Sequence, residues 1–317
     1  MKFKSLLLST LIMASTAAMA EPSHRVFISN EKSDSVSVID MKTNAVIKTI
    51  NVGERPRGIG LSPDGDKLYI AVSEENAIAV VDLKTLQLEK KLDAGDDPET
   101  FDVAPNGYIY LSNEDDAQAS VIDPKSGKVI ETIPVGIEPE GVAVSPDGSL
   151  VLVTSESTNM VHVIDTAKHK VVKNILVAAR PRGLAFNSDG SLAYSTSEVG
   201  NEVTVIDTKS LSIIKKASID LKNSKPMDIK VSPDGKTLYV TTGRGNSVAV
   251  LDADTLEMKA NVPVGKRVWG LGMSKDGSTL YTADGVSSTV SVVDTKTNKA
   301  IKTIEVGQFP WGVAVDD

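Results

Sequence analysis

Arg57, Glu99, Glu140, Arg182, Met227, Trp269 and Trp311 stand at intervals of 42, 41, 42, 45, 42 and 42 residues. Side chains at so constant a spacing occupy equivalent places in a repeat. Two of them, Glu99 and Glu140, are successive carboxylates. A close carboxylate pair is the raw material of acid–base or glycosidic chemistry, because like charges push the two pKa values apart. Two others, Arg57 and Arg182, are expected to keep those acids ionised, which makes the four recognition residues before catalytic ones. The remaining three are apolar, and they include both tryptophans of the chain. Such residues either plug a channel or anchor a ligand beside a polar rim.

The elements that must position these residues recur on the same beat. "SPDG" at Ser62 returns as "APNG" at Ala104, "SPDG" at Ser145, "NSDG" at Asn187, "SPDG" at Ser232 and "SKDG" at Ser274. A "VID"-like stretch ends at Asp40, Asp82, Asp123, Asp165, Asp207, Asp252 and Asp294. Self-similarity at 40–45 residues marks propeller blades of four strands. In one repeat, "GIGL", "KLYIAV", "AIAVVD" and "LQLEKKL" read as strands A to D, and no helical periodicity intervenes. Pro63 presets the A–B hairpin and Gly65 supplies its positive φ. The "VID" aspartates are expected to close the C–D turn by accepting from N–H groups two residues on, which leaves them no calcium-binding role. The amino-terminal stretch supplies strands B, C and D but no A, and "QFPWGVAVDD" supplies an A strand. The predicted fold is therefore all-β: a seven-bladed β-propeller whose last strand A joins the first B–C–D and removes the open edge.

Loops fall at two ends, A–B with C–D and D–A with B–C. The first end is nearly invariant, so function is expected at the second. There the seven spaced residues form a mouth with a charged arc (Arg57, Glu99, Glu140, Arg182) and an apolar arc (Met227, Trp269, Trp311). The glycines that follow, such as Gly58, Gly141 and Gly183, suit crowding of the inner strands. Glu31, Glu114, Glu156 and Glu198 share one register position in the B–C turns and predict an acidic partner face. Arg244, Lys266 and Arg267 lie on its other side, which polarises the end. The connection holding Asp220 to Lys225 is longer than its equivalents.

Composition bounds the rest. Lys2, Lys4, an apolar run and Ala18-Met19-Ala20 read as a signal peptide over residues 1–20, with 21–317 as one domain. The run is too short to span a membrane. There is no cysteine, so disulfides and thiolate metal sites are excluded. A net charge of -8 argues against nucleic acid as a main partner, although two tryptophans can stack bases. His24, His162 and His169 do not stand at metal-ligand spacing. No metal and no cofactor is identified from the residues.

"LYIAVSEENAIAVVDLKTLQLEKKLDAG" and "LYVTTGRGNSVAVLDADTLEMKANVPVG" resemble YVTN-type β-propeller repeats, a branch of the WD40-like repeats, and the resemblance covers residues 24–317. With the leader, the pattern is similar to the periplasmic propellers associated with PQQ-dependent alcohol catabolism. That resemblance implies a periplasmic, non-catalytic binding or accessory protein beside a quinoprotein dehydrogenase, with a protein partner or small molecule at the mouth. The alternatives are a propeller enzyme, either a lactonase-like hydrolase or a quinoprotein-associated subunit, and a purely structural protein-interaction module.

Overall fold

The computed structural model describes residues 21–317, so the expected signal peptide lies outside the described residues. Twenty-eight strands, numbered in chain order, form seven four-stranded antiparallel sheets. The second blade shows the pattern: β4 (Pro56–Leu61), β5 (Lys67–Val72), β6 (Ala77–Asp82) and β7 (Gln87–Asp93), paired in that order. Strands β5 and β6 are buried at nearly every position, because both of their faces meet a neighbouring blade. The outer strand β7 is exposed except at Leu92.

The core is accordingly divided into seven clusters, each lying between blades rather than within one. Phe27, Val36 and Val38 pack on Leu68, Ile70, Val72 and Val81 of the next blade. Tyr69, Ile78 and Val80 then pack on Phe101, Ile109 and Leu111 of the blade after that. Burial of apolar area contributes about 25 cal/mol per Å2, so a blade is stable only between two others.

The ring closes as the sequence predicts. The carboxy-terminal β28 (Pro310–Asp316) pairs with β1 (Arg25–Asn30), which leads into β2 (Ser35–Asp40) and β3 (Ala45–Asn51). In the A–B hairpin of the second blade, Gly65 has φ 75° and donates to the Ser62 carbonyl at 3.0 Å. Ser62 Oγ donates to Asp64 Oδ1 at 2.5 Å.

One local expectation needs correction. The C–D aspartates mostly reach three residues on, not two. Asp40 Oδ1 accepts from the N–H and the hydroxyl of Thr43, both at 2.7 Å, because the turn carries its left-handed residue at Asn44. No α-helix occurs among the described residues. One turn of 3-10 helix fills the B–C connection at Ser73–Glu75 and another at Gly285–Ser287.

Candidate functional site

The inner strands are β4, β8 (Pro98–Val103), β12 (Pro139–Val144), β16 (Pro181–Phe186), β20 (Ile229–Val231), β24 (Val268–Met273) and β28. Six of the seven spaced residues are second in their strands and sit in a bulge rather than before the strand, whereas Met227 precedes β20 by two residues. In β4 the pairing jumps from Pro56↔Val72 to Ile59↔Ile70, leaving Arg57 and Gly58 outside the ladder. The same break occurs in β8, β12, β16 and β24, and β28 carries one across Trp311. A bulge re-aims its side chain and twists the strand, and here it turns each residue toward the channel mouth.

The bulge also brings neighbouring blades into contact, which explains the glycines. A Cβ on Gly141 would lie 1.9 Å from the Arg182 carbonyl oxygen, and one on Gly183 would lie 2.4 Å from that of Met227. The carbonyls are held by a device that sequence reading missed. Thr154 Oγ1 accepts from Gly141 N–H at 2.7 Å and donates to the Arg182 carbonyl of the next blade at 2.9 Å. Thr196 does the same between Gly183 N–H (2.9 Å) and the Met227 carbonyl (2.6 Å), and Ser29 between Gly312 N–H (2.9 Å) and the Arg57 carbonyl (2.6 Å). Ser112 and Thr241 repeat the bridge. The signal was a hydroxyl at one register position of strand B.

The charged arc is one ion-pair system rather than four residues. Arg57 donates to Glu99 and lies 3.4 Å from Glu31. Arg182 lies 2.8 Å from Glu140, 2.8 Å from Glu156 and 3.2 Å from Glu198. Arg55 reaches Asp97 at 2.7 Å and Glu99 at 3.4 Å. Arg180 reaches Glu156 at 2.7 Å and Glu198 at 3.0 Å. Arg55 and Arg180 were also missed, although the repeated "RPRG" at 55–58 and 180–183 marks them.

The expected acidic partner face is therefore corrected. Glu156 and Glu198 are only 4% and 8% exposed, Glu31 and Glu114 are partly buried, and Glu31, Glu156 and Glu198 turn inward to the arginines. The B–C turns fold over the channel rather than away from it.

The expectation that arginines keep the acids ionised also fails at Glu99. Its side chain is fully buried. Burial and the nearby Glu140 charge hold its carboxyl well above the ordinary range despite Arg57. Burial, with Glu140 beside it, pushes Glu156 up to about 8, and burial raises Glu114 and Asp97 as well. Burial is the leading cause, and number adds to it: Glu31, Asp97, Glu99, Glu114, Glu140, Glu156 and Glu198 gather around only four guanidiniums. Oxygens of Asp97, Glu99 and Glu114 approach within 4.8 Å of one another, as cation ligands would. Arg55 and Arg57 already lie against two of them.

Across the mouth, Trp269 and Trp311 stack with centroids 6.3 Å apart and planes 23° apart, and Met227 is buried beside the channel. The two arcs touch. Arg57 lies 5.7 Å over Trp311, and Arg182 lies 5.5 Å over Trp269. Gly285 takes the turn position that is glutamate in four other blades, because a Cβ there would meet the Trp269 ring at 2.7 Å. Between the arcs lies a cavity of about 150 Å3 bordered by Glu140, Arg182, Met227, Trp269 and Trp311. Deeper in the channel, Asp228 Oδ2 accepts from Leu271 N–H at 2.9 Å and Asp102 Oδ2 from Val144 N–H at 2.8 Å, each fastening the next blade.

The histidines stand apart. His162 accepts from Gly136 N–H at 2.9 Å through Nε2 and faces Asn174 Oδ1 at 2.8 Å through Nδ1, and burial lowers its pKa. His169 stacks on Tyr110. His24 sits at positive φ just before β1.

A family model described as "Lactonase, 7-bladed beta-propeller" matches residues 142–306. No curated protein matches the chain significantly. Among solved structures, a hydrazine synthase chain from Kuenenia stuttgartiensis is similar, with a TM-score of 0.81 and 24% identity. That likeness covers 92% of this chain and 99% of that one. A functionally unknown protein from Desulfotomaculum acetoxidans DSM 771 has a TM-score of 0.80 at 17% identity, covering 93% and 99%. Both likenesses concern the fold.

Proposed function

The chain belongs to the seven-bladed β-propeller lactonase family, and from that premise we propose that it binds a small organic molecule at the channel mouth, without itself transforming it. The observation that carries this reading is the cavity between the stacked tryptophans and the Arg182–Glu140 pair. Aromatic faces on one side and fixed hydrogen-bonding groups on the other suit a ligand with a flat body and polar edges. The amino-terminal lysines, apolar run and Ala18-Met19-Ala20 support export to a periplasm as part of one 21–317 domain. The resemblance to propellers of PQQ-dependent alcohol catabolism supports a place beside a quinoprotein dehydrogenase, as a binding or accessory component.

A second reading, hydrolysis of a lactone, is favoured by the family and by the raised carboxyls. A glutamic acid that keeps its proton near neutrality, as Glu156 does, can protonate a leaving alkoxide. One preparation tests both. The chain's two tryptophans both stand at the mouth, so intrinsic fluorescence reports its occupancy. Titration with PQQ, alcohols, aldehydes and lactones should change the emission of the wild type, and calorimetry should detect binding to the wild type but not to Trp269→Phe/Trp311→Phe. Acid release from a lactone in a pH-stat, lost in Glu156→Gln, would replace the binding reading with the enzymatic one. A flat response to the whole panel would refute a small-molecule site.

A further inference from the structure

One arginine packed on Trp269, outside the lining of the cavity, breaks the pattern of the others. Arg55, Arg57, Arg180 and Arg182 each lie within 4 Å of two or more carboxylates. Arg267 has none within that distance among the described residues, and neither do Lys225, Arg244 and Lys266 around it. Arg267 Nε is buried and finds no acceptor. The acid that bears on it most, Glu198, is already committed to Arg180 and Arg182.

The guanidinium is nonetheless held in place. It lies 4.5 Å over Trp269, on a ring that also receives Arg182. Its backbone is fixed at φ 55°, with Arg267 N–H donating to Asn246 Oδ1 at 2.8 Å. A second donor beside the channel, Trp311 Nε1, is likewise buried without an acceptor. Unpaired buried donors cost free energy that a ligand acceptor recovers, and a stacked guanidinium presents a planar fork that matches a planar oxyanion.

We infer that Arg267 is the receptor for the carboxylate of the mouth ligand, whose ring lies over Trp269 and Trp311. The inference rests on reading the mouth as a small-molecule site and names the ligand class: a ring-bearing monocarboxylate. A single negative charge fits better than two, because the opposite arc carries seven acids against four guanidiniums, an excess that persists with Glu99 and Glu156 protonated. That excess also orients the ligand, with its acid toward Arg267 and its hydroxyl or carbonyl edge toward Arg182 and Glu140.

The test uses benzoate, phenyl phosphate and benzyl alcohol, three probes sharing one ring, titrated at constant ionic strength by calorimetry and tryptophan emission. Benzoate should bind wild type about tenfold or more tightly than benzyl alcohol, and Arg267→Gln should abolish that preference. The thermal midpoint of the variant shows that it is folded. Arg182→Lys should retain the preference. Equal binding of benzoate and benzyl alcohol, or a preference that survives Arg267→Gln, overturns the carboxylate receptor while leaving the mouth a binding site. A preference for phenyl phosphate over benzoate overturns the assignment of a singly charged ligand. Silence toward all three probes removes the mouth reading itself.

Discussion

Replacing Arg182 by methionine removes one guanidinium from the buried Glu140 and Glu198, and from Glu156, which already holds its proton near neutrality. Glu140 and Glu156 lie 2.8 Å from it and Glu198 3.2 Å, with side chains 7%, 3% and 11% exposed. Breaking a buried ion pair from one side costs about 3–5 kcal/mol. Proton uptake sets an independent ceiling. Protonating a carboxyl whose pKa is about 4.3 costs about 4 kcal/mol at pH ~7.5 and about 1.6 kcal/mol at pH ~5.5. The two estimates agree at neutral pH, and the second makes the loss pH-dependent. At roughly 2 °C per kcal/mol for a domain of this size, Arg182→Met should lower the thermal midpoint by about 8 °C at the higher pH and about 3 °C at the lower. Circular dichroism melts of both proteins at both pH values measure this. An equal drop at the two pH values, or a drop of less than about 2 °C at pH ~7.5, would refute the argument that unneutralised carboxylates dominate the mouth.

Glu156 gives the wild type a pH dependence of its own. With its carboxyl near 8 in the fold and about 4.3 unfolded, the folded state holds the extra proton between those values. The stability from this group is full below about 4.3 and is lost as pH rises through 8. Urea titrations should show a fall in stability from about pH 4.3 to 8, levelling off above that, and a shallower fall in Glu156→Gln, where Glu99, Glu114 and Asp97 remain raised. Thr154→Val keeps the shape of a buried side chain but strands Gly141 N–H and the Arg182 carbonyl, so it should cost about 1–3 kcal/mol in the same assay. Gly141→Ala drives a Cβ toward a backbone oxygen at 1.9 Å. It should cost about 3 kcal/mol or more, read as a lowered denaturation midpoint.

Much of this architecture is written in the turns. "SPDG" and "VID" fix where strands begin and end, and a steady count from one to the next fixes blades, closure and the seven mouth positions. Register, however, states which end of the ring a residue occupies and not how far it lies from the axis. That is why Glu156 and Glu198 read as exposed surface when they lie against Arg182. The hydroxyl bridges were hidden for another reason. Ser29, Ser112 and Thr154 look like ordinary small polar residues of a strand, and their role exists only because the bulge leaves a carbonyl of the next blade in reach. The pKa of Glu99 was misjudged because the two arginines were weighed without the depth at which the fold buries its carboxyl, to which Glu140 and Glu114 add their charge.

The seam between β28 and β1 has a consequence for how the ring comes apart. Every other blade is one unbroken run of chain, whereas this one is held across its A–B ladder by hydrogen bonds and packing alone. It joins residues almost a full chain length apart, but six intervening blades already bring them around to each other, so rejoining is a local event. Opening at the seam frees the ends without rupturing any hairpin. Proteases and pulling forces should therefore find their first purchase there, and the lifetime of the native ring should be governed by that one ladder. A peptide link from residue 317 to residue 24, with new ends cut in an A–B turn elsewhere, would move the weak point without changing the mouth.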